Sequence, residues 1–426
     1  MKIEILAVGT ELLTPFFQDT NSLFLTAGLN GLGLPVSFKT LVGDDEEDLL
    51  RAVRTAMARS RIILIMGGLG PTEDDRTRET VARALGRKLV FHKELLVGIR
   101  GRFRRRGLAM PPSNLKQCRV IEGAEVLENP HGTAPGLWLE TSRHRFVLLP
   151  GPPRELRPMF EGHVLPRLAA LGRGLTVRRV LRLTGLGESG METRIKGIYG
   201  QVPGSVSITT LAVPGDLSIH LTYQGPGPGP AAEALLETLE KKLCRRLSPW
   251  IYSSAGWSLE EVVGRLLEEQ GKTLSCAESC TGGLLGHRLT EVPGSSSYFL
   301  ESAVVYSNRA KVRRLGVPAS LIDRHGAVSA AVARQMAVGV RKACRADYGL
   351  SITGIAGPEG GTPRKPVGLV YIALARDGGV VVHRKCFFGG RSQVKFQSTQ
   401  AALDILRKAL LAKTAQGTYN KVQARP

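Results

Sequence analysis

Residues 273–289, TLSCAESCTGGLLGHRL, crowd two cysteines, two serines, two threonines and a glycine pair into what reads as a strand running into a helix. Small residues at such a turn let backbone N–H groups face an anion, and the helix dipole adds to the attraction. Two kinds of chemistry use that arrangement: a phosphate cradle, or an oxyanion hole for acyl transfer. The GxxxxGK[ST] spacing of a P-loop is missing, and so is the GxSxG of a hydrolase elbow. Cys276 and Cys280 have three residues between them and no Cys or His pair nearby, which argues against tetrahedral zinc.

Two polar clusters follow. PGSSSYF at 293–299 puts Ser295, Ser296 and Ser297 at the expected start of a helix, and VVYSNRAK at 304–311 ends a strand and delivers Tyr306, Asn308 and Lys311. A serine nucleophile needs a base, and a lysine stripped of water can be one, so a Ser–Lys pair is within reach of these residues. SITGIAGPEGG at 351–361 reads as a strand entering a glycine-rich turn, and Arg391 stands at a loop-to-helix junction, where its planar fork suits a phosphate or carboxylate. Each feature also has a plainer reading: serines cap helices, single lysines lie on surfaces, and glycines make tight turns.

The elements that must position these groups follow from pattern and composition. A chain of 426 residues suggests about three domains. The first ~150 residues alternate strand and helix patterns, as βαβ units with a parallel sheet do. A smaller α+β segment spans about 173–253, with GPGPGP at 225–230 as a punctuation loop, and a third α/β unit spans about 256–413 before a frayed tail, 414–426. The fold class expected is α/β, two three-layer domains joined by a small α+β one. Six scattered cysteines point to reduced thiols, and no apolar run, IILIM at 62–66 included, approaches the ~18 residues of a membrane helix, so a cytoplasmic protein without membrane spans is expected. A net charge of +21, densest in RGRFRRRG at 100–107, attracts polyanions, so nucleic acid is a partner that the charge permits.

Taken together, AESCTGG, VVYSNRAK, HGAVS, ITGIAGPEGG and KPVGLVYIA resemble the C-terminal domain of the CinA family, which is similar to stand-alone nicotinamide mononucleotide deamidases. VGTELL, DTNS, VGDDEE, GGLGPTEDDRTRE, MPPSNLKQ, NPHGTAPG and LPGPPREL resemble the family's N-terminal domain, similar to molybdopterin-binding domains of the MogA type. The middle segment takes the place of the family's KH-type domain. The resemblance implies boundaries near 1–172, 173–253 and 256–413, a homodimer, and hydrolysis of nicotinamide mononucleotide to nicotinate mononucleotide and ammonia without a cofactor. It implies Lys311 as base, Tyr306 as an assisting hydroxyl and Ser296 as nucleophile, with Ser279 beside the N–H groups of Cys280, Thr281 and Gly282 in the anion cradle. The reverse, Ser279 as nucleophile, stays open. Asn308, Thr353 and Arg391 are the substrate contacts, Arg391 for the 5′-phosphate.

For the N-terminal domain the resemblance implies ADP-ribose pyrophosphatase activity with a divalent metal. Gly67, Gly68 and Gly70 follow a buried strand and are placed to approach a phosphate. Asp45, Asp74 and Asp75 are acidic candidates, with Asp45 and Asp75 as metal ligands, and Glu11 and Asn21 are contacts by family position. Helix capping is the plainer reading of these aspartates. One stretch departs from the pattern: Thr14-Pro15-Phe16-Phe17 replaces a glycine-bearing loop, and Pro15 lacks an N–H and fixes φ. A molybdopterin-binding module without catalysis, or nucleic-acid association, are the alternatives. The GxxG that a KH domain uses on a nucleic-acid backbone is present as Gly187-Glu188-Ser189-Gly190, with an acid where a base is expected.

Overall fold

IEILAV and IILIM can only be satisfied inside a sheet covered on both faces, and both strands are buried along their whole length. They belong to a computed structural model that describes residues 1–171, 175–225 and 229–414; the tail from 415 and the centre of GPGPGP lie outside the described residues. Contacts divide the chain into two compact units, Met1–Thr176 with Gln224–Gly229, and Val177–Tyr223 with the chain from Pro230 onward. The segment expected as a middle domain therefore shares a unit with the third.

The first unit holds β1 (Ile3–Val8), β2 (Val36–Val42), β3 (Ile62–Met66), β4 (Glu125–Leu127), β5 (Gly136–Glu140) and β6 (Arg145–Leu149) in the order β2-β1-β3-β6-β5-β4. The first four of that order pair parallel, and β5 runs antiparallel to both of its neighbours, β6 and β4, so the sheet is parallel-rich and mixed. Helices α1 (Thr20–Gly31), α2 (Glu46–Arg59), α3 (Thr77–Leu85) and α4 (Lys93–Arg105) accompany it, and two apolar clusters, one on each face, form its core.

In the second unit, β7 (Leu175–Leu183), β8 (Val206–Val213), β9 (Asp216–Gly225) and β10 (Ile251–Ser253) make a sheet of order β8-β9-β7-β10, with α5 (Glu188–Tyr199) and α6 (Gly229–Leu247). Its own core includes Ile195, Leu221 and Leu239. A third sheet, order β12-β11-β13-β14-β15, is built from β11 (Leu274–Glu278), β12 (Phe299–Val304), β13 (Tyr348–Gly354), β14 (Leu369–Arg376) and β15 (Gly379–Cys386). β11 pairs parallel with β12 and β13; β14 and β15 return as antiparallel hairpins. The surrounding helices include α7 (Leu259–Glu269), α8 (Leu284–Thr290), α9 (Asn308–Leu315), α10 (Ala330–Cys344) and α11 (Arg391–Thr414). The class is α/β as the patterns indicate. One expected helix is absent: Ser295–Ser297 form a single 3₁₀ turn after Gly294, whose positive φ breaks the chain direction, and Phe299 already belongs to β12. Among the described residues no helix is long and apolar enough to cross a membrane.

Candidate active site

Ser279 and Lys311 meet because β11 ends at Glu278 and α9 begins four residues after β12. The Ser307 hydroxyl accepts from Ala310 N–H and caps α9, which fixes the first turn and so the direction of Lys311. Lys311 is 1% exposed. Its Nζ lies 3.1 Å from Ser279 Oγ, 2.9 Å from Val305 O and 3.1 Å from Tyr306 O. A neutral amine has two N–H donors and one lone pair. In that form the two carbonyls accept the donors and the lone pair faces the serine hydroxyl; in the protonated form the third N–H points at Ser279 Oγ instead. Burial lowers the lysine pKa from its ordinary 10.5, with a small opposing pull from Cys280.

Beside Ser279 stand two backbone donors. Among the described residues the N–H groups of Cys280 and Thr281 have no acceptor, while Ser279 N–H donates to Ile352 O at 3.0 Å and Gly282 N–H to Ser279 O at 3.1 Å. The cradle therefore shrinks by one member: Gly282 closes a turn at φ +60 instead of presenting a donor. The Thr281 hydroxyl is buried without a partner.

Sequence reasoning missed Glu278. It is fully buried, and its carboxylate accepts from Gly283 N–H (3.1 Å), Leu285 N–H (3.0 Å), Gly286 N–H (2.9 Å) and Ser302 Oγ (2.8 Å). The amides at the start of α8, expected to face an external anion, are thus taken by an internal one. Lys395 was also missed; its Nζ would stand 3.7 Å from a Cβ at Gly282, adding positive charge beside the turn.

Ser296 is exposed in its 3₁₀ turn and shares no hydrogen bond with Lys311. The lysine expected to serve it has Ser279 and two carbonyls as its three polar contacts. Tyr306 reaches Lys311 through its backbone oxygen; its phenol is turned outward and accepts from Arg391 Nη2 at 3.0 Å, while Arg391 Nη1 donates to Gly357 O at 2.8 Å. Asn308 is exposed at the start of α9. Thr353 is buried and its hydroxyl donates to Ala327 O at 2.9 Å, so its first role is to hold the end of β13.

In the first unit, Glu11 and Asn21 line one cavity of about 280 Å³ with Phe17, Asp19 and Gly151. Asn21 Nδ2 donates to Gly151 O at 2.7 Å, and its Oδ1 is buried without a partner. The aspartates behave differently from the metal-ligand expectation. Asp45 caps α2 by accepting from Asp48 N–H at 2.9 Å, Asp75 accepts from Thr72 N–H at 3.0 Å, and Asp74 stays exposed. It is Asp44, not Asp45, that accepts from Thr10 N–H and Oγ1, at 2.8 and 2.7 Å. Among the described residues no three His, Cys, Asp or Glu side chains gather as a metal site. The aspartates do not fit that role. The glycines serve close internal packing: a Cβ would lie 2.1 Å from Val8 O at Gly67, 2.2 Å from Thr77 Oγ1 at Gly68 and 2.3 Å from Asp75 Oδ2 at Gly70.

Family models match along almost the whole chain: "Probable molybdopterin binding domain" over 4–170, "Damage-inducible protein CinA KH domain" over 178–253 and "CinA C-terminal domain" over 257–410. A CinA-like protein of Koribacter versatilis is 46% identical over 416 residues, covering 96% of this chain and 100% of that one. The chain belongs to the CinA family. A putative competence-damage inducible protein of Alkaliphilus metalliredigens is 42% identical over 96% of this chain and 100% of its own. The crystal structure of the competence/damage inducible protein CihA from Agrobacterium tumefaciens is 40% identical, covering 36% of this chain and 95% of that one, with a TM-score of 0.35.

The thiol in this CinA-family turn is set apart from the chemistry. Burial, the largest cause, pushes the Cys280 thiol up to about 11, and its N–H rather than its sulfur stands with the free donors. Cys280→Ala is therefore expected to lower stability, as truncation of a buried side chain does, and yet to keep any activity of the folded protein within about threefold, since the N–H group stays and no reacting atom leaves. Steady-state rates of the two proteins check it; a hundredfold loss would restore the sulfur as a reacting group.

Proposed function

We propose that the C-terminal domain hydrolyses the carboxamide of nicotinamide mononucleotide, releasing ammonia and nicotinate mononucleotide. The observation that carries this reading is the buried Lys311 amine, 3.1 Å from Ser279 Oγ with both N–H groups held by carbonyls. Lys311 takes the serine proton as Oγ attacks the amide carbon, and the oxyanion turns toward the N–H groups of Cys280 and Thr281. The lysine then gives its proton to the departing nitrogen, which leaves as ammonia, and Ser279 carries an ester. Water, deprotonated by Lys311, attacks that ester, frees the carboxylate product and returns the serine. Arg391, already bonded to Tyr306 and Gly357, is the cation for the 5′-phosphate. Ammonia release from nicotinamide mononucleotide tests the reading, and none from the folded full-length protein overturns it.

The lysine pKa sets a pH dependence. Below its lowered pKa Lys311 is protonated and has no lone pair for the hydroxyl, so kcat/KM is expected to rise with pH on an acid limb that lies below the ordinary 10.5. The sign for stability follows from the same shift. The unfolded chain binds the proton more tightly, so the penalty is full below the folded pKa and is relieved as pH climbs toward 10.5. A rate profile with no acid limb anywhere below 10.5 would remove Lys311 as the base.

For the N-terminal domain we propose nucleotide binding at the cavity lined by Glu11 and Asn21, supported by the buried, unpartnered Asn21 Oδ1, an acceptor placed for a ring amine or ribose hydroxyl. Hydrolysis of ADP-ribose there is the finer reading. It is tested by AMP formation across a panel of divalent metals, and absence of AMP under all of them rejects it.

A further inference from the structure

Within the second unit a groove of about 780 Å³ runs between the β7–β10 sheet and α11. That is the size of a small-molecule site. One wall is the turn from Thr184 to Glu188. It leads into α5, whose N-cap is Gly187; no side chain caps the helix. The first N–H groups of a helix have no intrahelical partner, and at twelve residues α5 has a full dipole behind them. Among the described residues these amides meet no other acceptor.

The other wall carries cations. His383 and Lys385 sit two apart on β15, and α11 brings Gln400, Asp404 and Lys408 at a spacing of four. Lys385 is exposed and, among the described residues, has no ion pair. Asp404 is already paired with Arg407 at 2.7 Å and Lys408 at 2.6 Å, so it leaves little negative charge to repel an anion. Burial first, then Lys385 and Lys408, lowers the His383 pKa, which leaves a neutral imidazole for hydrogen bonding. Glu188, exposed at the start of α5, is the remaining acid.

Gln400 points to a ligand independently. It is 1% exposed and lines the groove, and its Oε1 accepts from Arg288 Nη2 at 2.6 Å. Arginine can only donate, so the amide cannot be turned the other way. Its Nε2 is left buried with no acceptor. Trp250, Phe387 and Ile405 give the same groove an apolar stretch.

We infer that this groove binds a phosphate-bearing small molecule. Its phosphate sits at the N-terminus of α5 beside Lys385, its polar acceptors meet Gln400, and its apolar body lies along Trp250. The site needs both the KH-type sheet and the C-terminal helix, and it is separate from the Ser279–Lys311 pair. A groove closed by two walls and carrying Glu188 at the helix start favours a small phosphate ester over a nucleic-acid backbone.

Calorimetric titration of the full-length protein with AMP, and with inorganic phosphate as a second probe, tests it. Gly187→Asp is the informative variant. Gly187 has φ −81 and ψ 156, a Cβ there meets nothing within 4 Å, and an aspartate would cap α5 with its own carboxylate. That variant is expected to melt at a higher temperature than the wild type and yet to lose one AMP site; Lys385→Glu is expected to weaken the same site at least about tenfold. Ammonia release should be unchanged in both. Full AMP binding in both variants overturns the proposal, as does a wild type that binds neither probe at about 1 mM. A single-stranded oligonucleotide that binds the wild type in preference to AMP, and is lost in the same variants, overturns the small-molecule assignment in favour of nucleic acid.

Discussion

Ser279→Ala is expected to lower ammonia release from nicotinamide mononucleotide by at least about 10³-fold, the scale on which nucleophile removal acts in acyl-transfer enzymes. Ser296→Ala is expected to stay near wild type. The contrast rests on placement: Ser279 is 8% exposed against the buried lysine, whereas Ser296 is exposed with no bond to it. Folding should survive, since only one hydroxyl leaves and the two carbonyl contacts of Lys311 persist. Lys311→Met should cost about as much as Ser279→Ala, and the double variant little more, because residues that act as a unit are not additive. Single-turnover rates with a thermal melt of each protein check all four. If Ser296→Ala is inactive and Ser279→Ala is not, the nucleophile is Ser296 and Ser279 is a cradle residue.

The elements of this chain were legible wherever local pattern decides them. IILIM is a strand because nothing polar interrupts it, and IEILAV carries a single acid, Glu4, whose carboxylate is held by Arg59; both strands are fully buried. Ser258 and Glu261 form a capping box at α7, a signal written in four residues. Legibility failed where a choice depended on distant chain. Ser279 and Ser296 look alike in sequence, and only the register of β11 against β12 and the start of α9 brings Lys311 to the former. The antiparallel return of β14 beside β13 was not legible from a βαβ pattern, because it depends on the course of the 355–368 connection, whereas the β14–β15 hairpin turns locally at Asp377-Gly378. In the first unit the aspartates carried two readings, and helix capping, the local one, is what Asp45 does. Asp44, its neighbour, faces Thr10 across 34 residues of sequence, a partnership no spacing rule supplies.

Glu278→Ala is expected to be the most destabilising single change in the C-terminal domain, about 3–5 kcal/mol in denaturant unfolding. The reasoning starts from count. Its carboxylate serves three N–H groups and the Ser302 hydroxyl, and truncation leaves those donors facing a dry cavity. Each buried donor left unpaired costs about 1–3 kcal/mol, and partial relaxation of α8 recovers some of the sum. Glu278→Gln keeps the shape but presents an NH₂ where a donor already points, so an intermediate loss is expected. Activity should fall in both. The free N–H groups of Cys280 and Thr281 lie between Glu278 and the amides it holds, and a turn that slackens no longer aims them. The split between the two effects is diagnostic. A positioning role predicts that kcat falls in step with stability and partly recovers at low temperature or in stabilising sulfate, where the turn is ordered again. Were Glu278 instead a proton carrier, Glu278→Gln would remain inactive under every condition, including those that restore its stability.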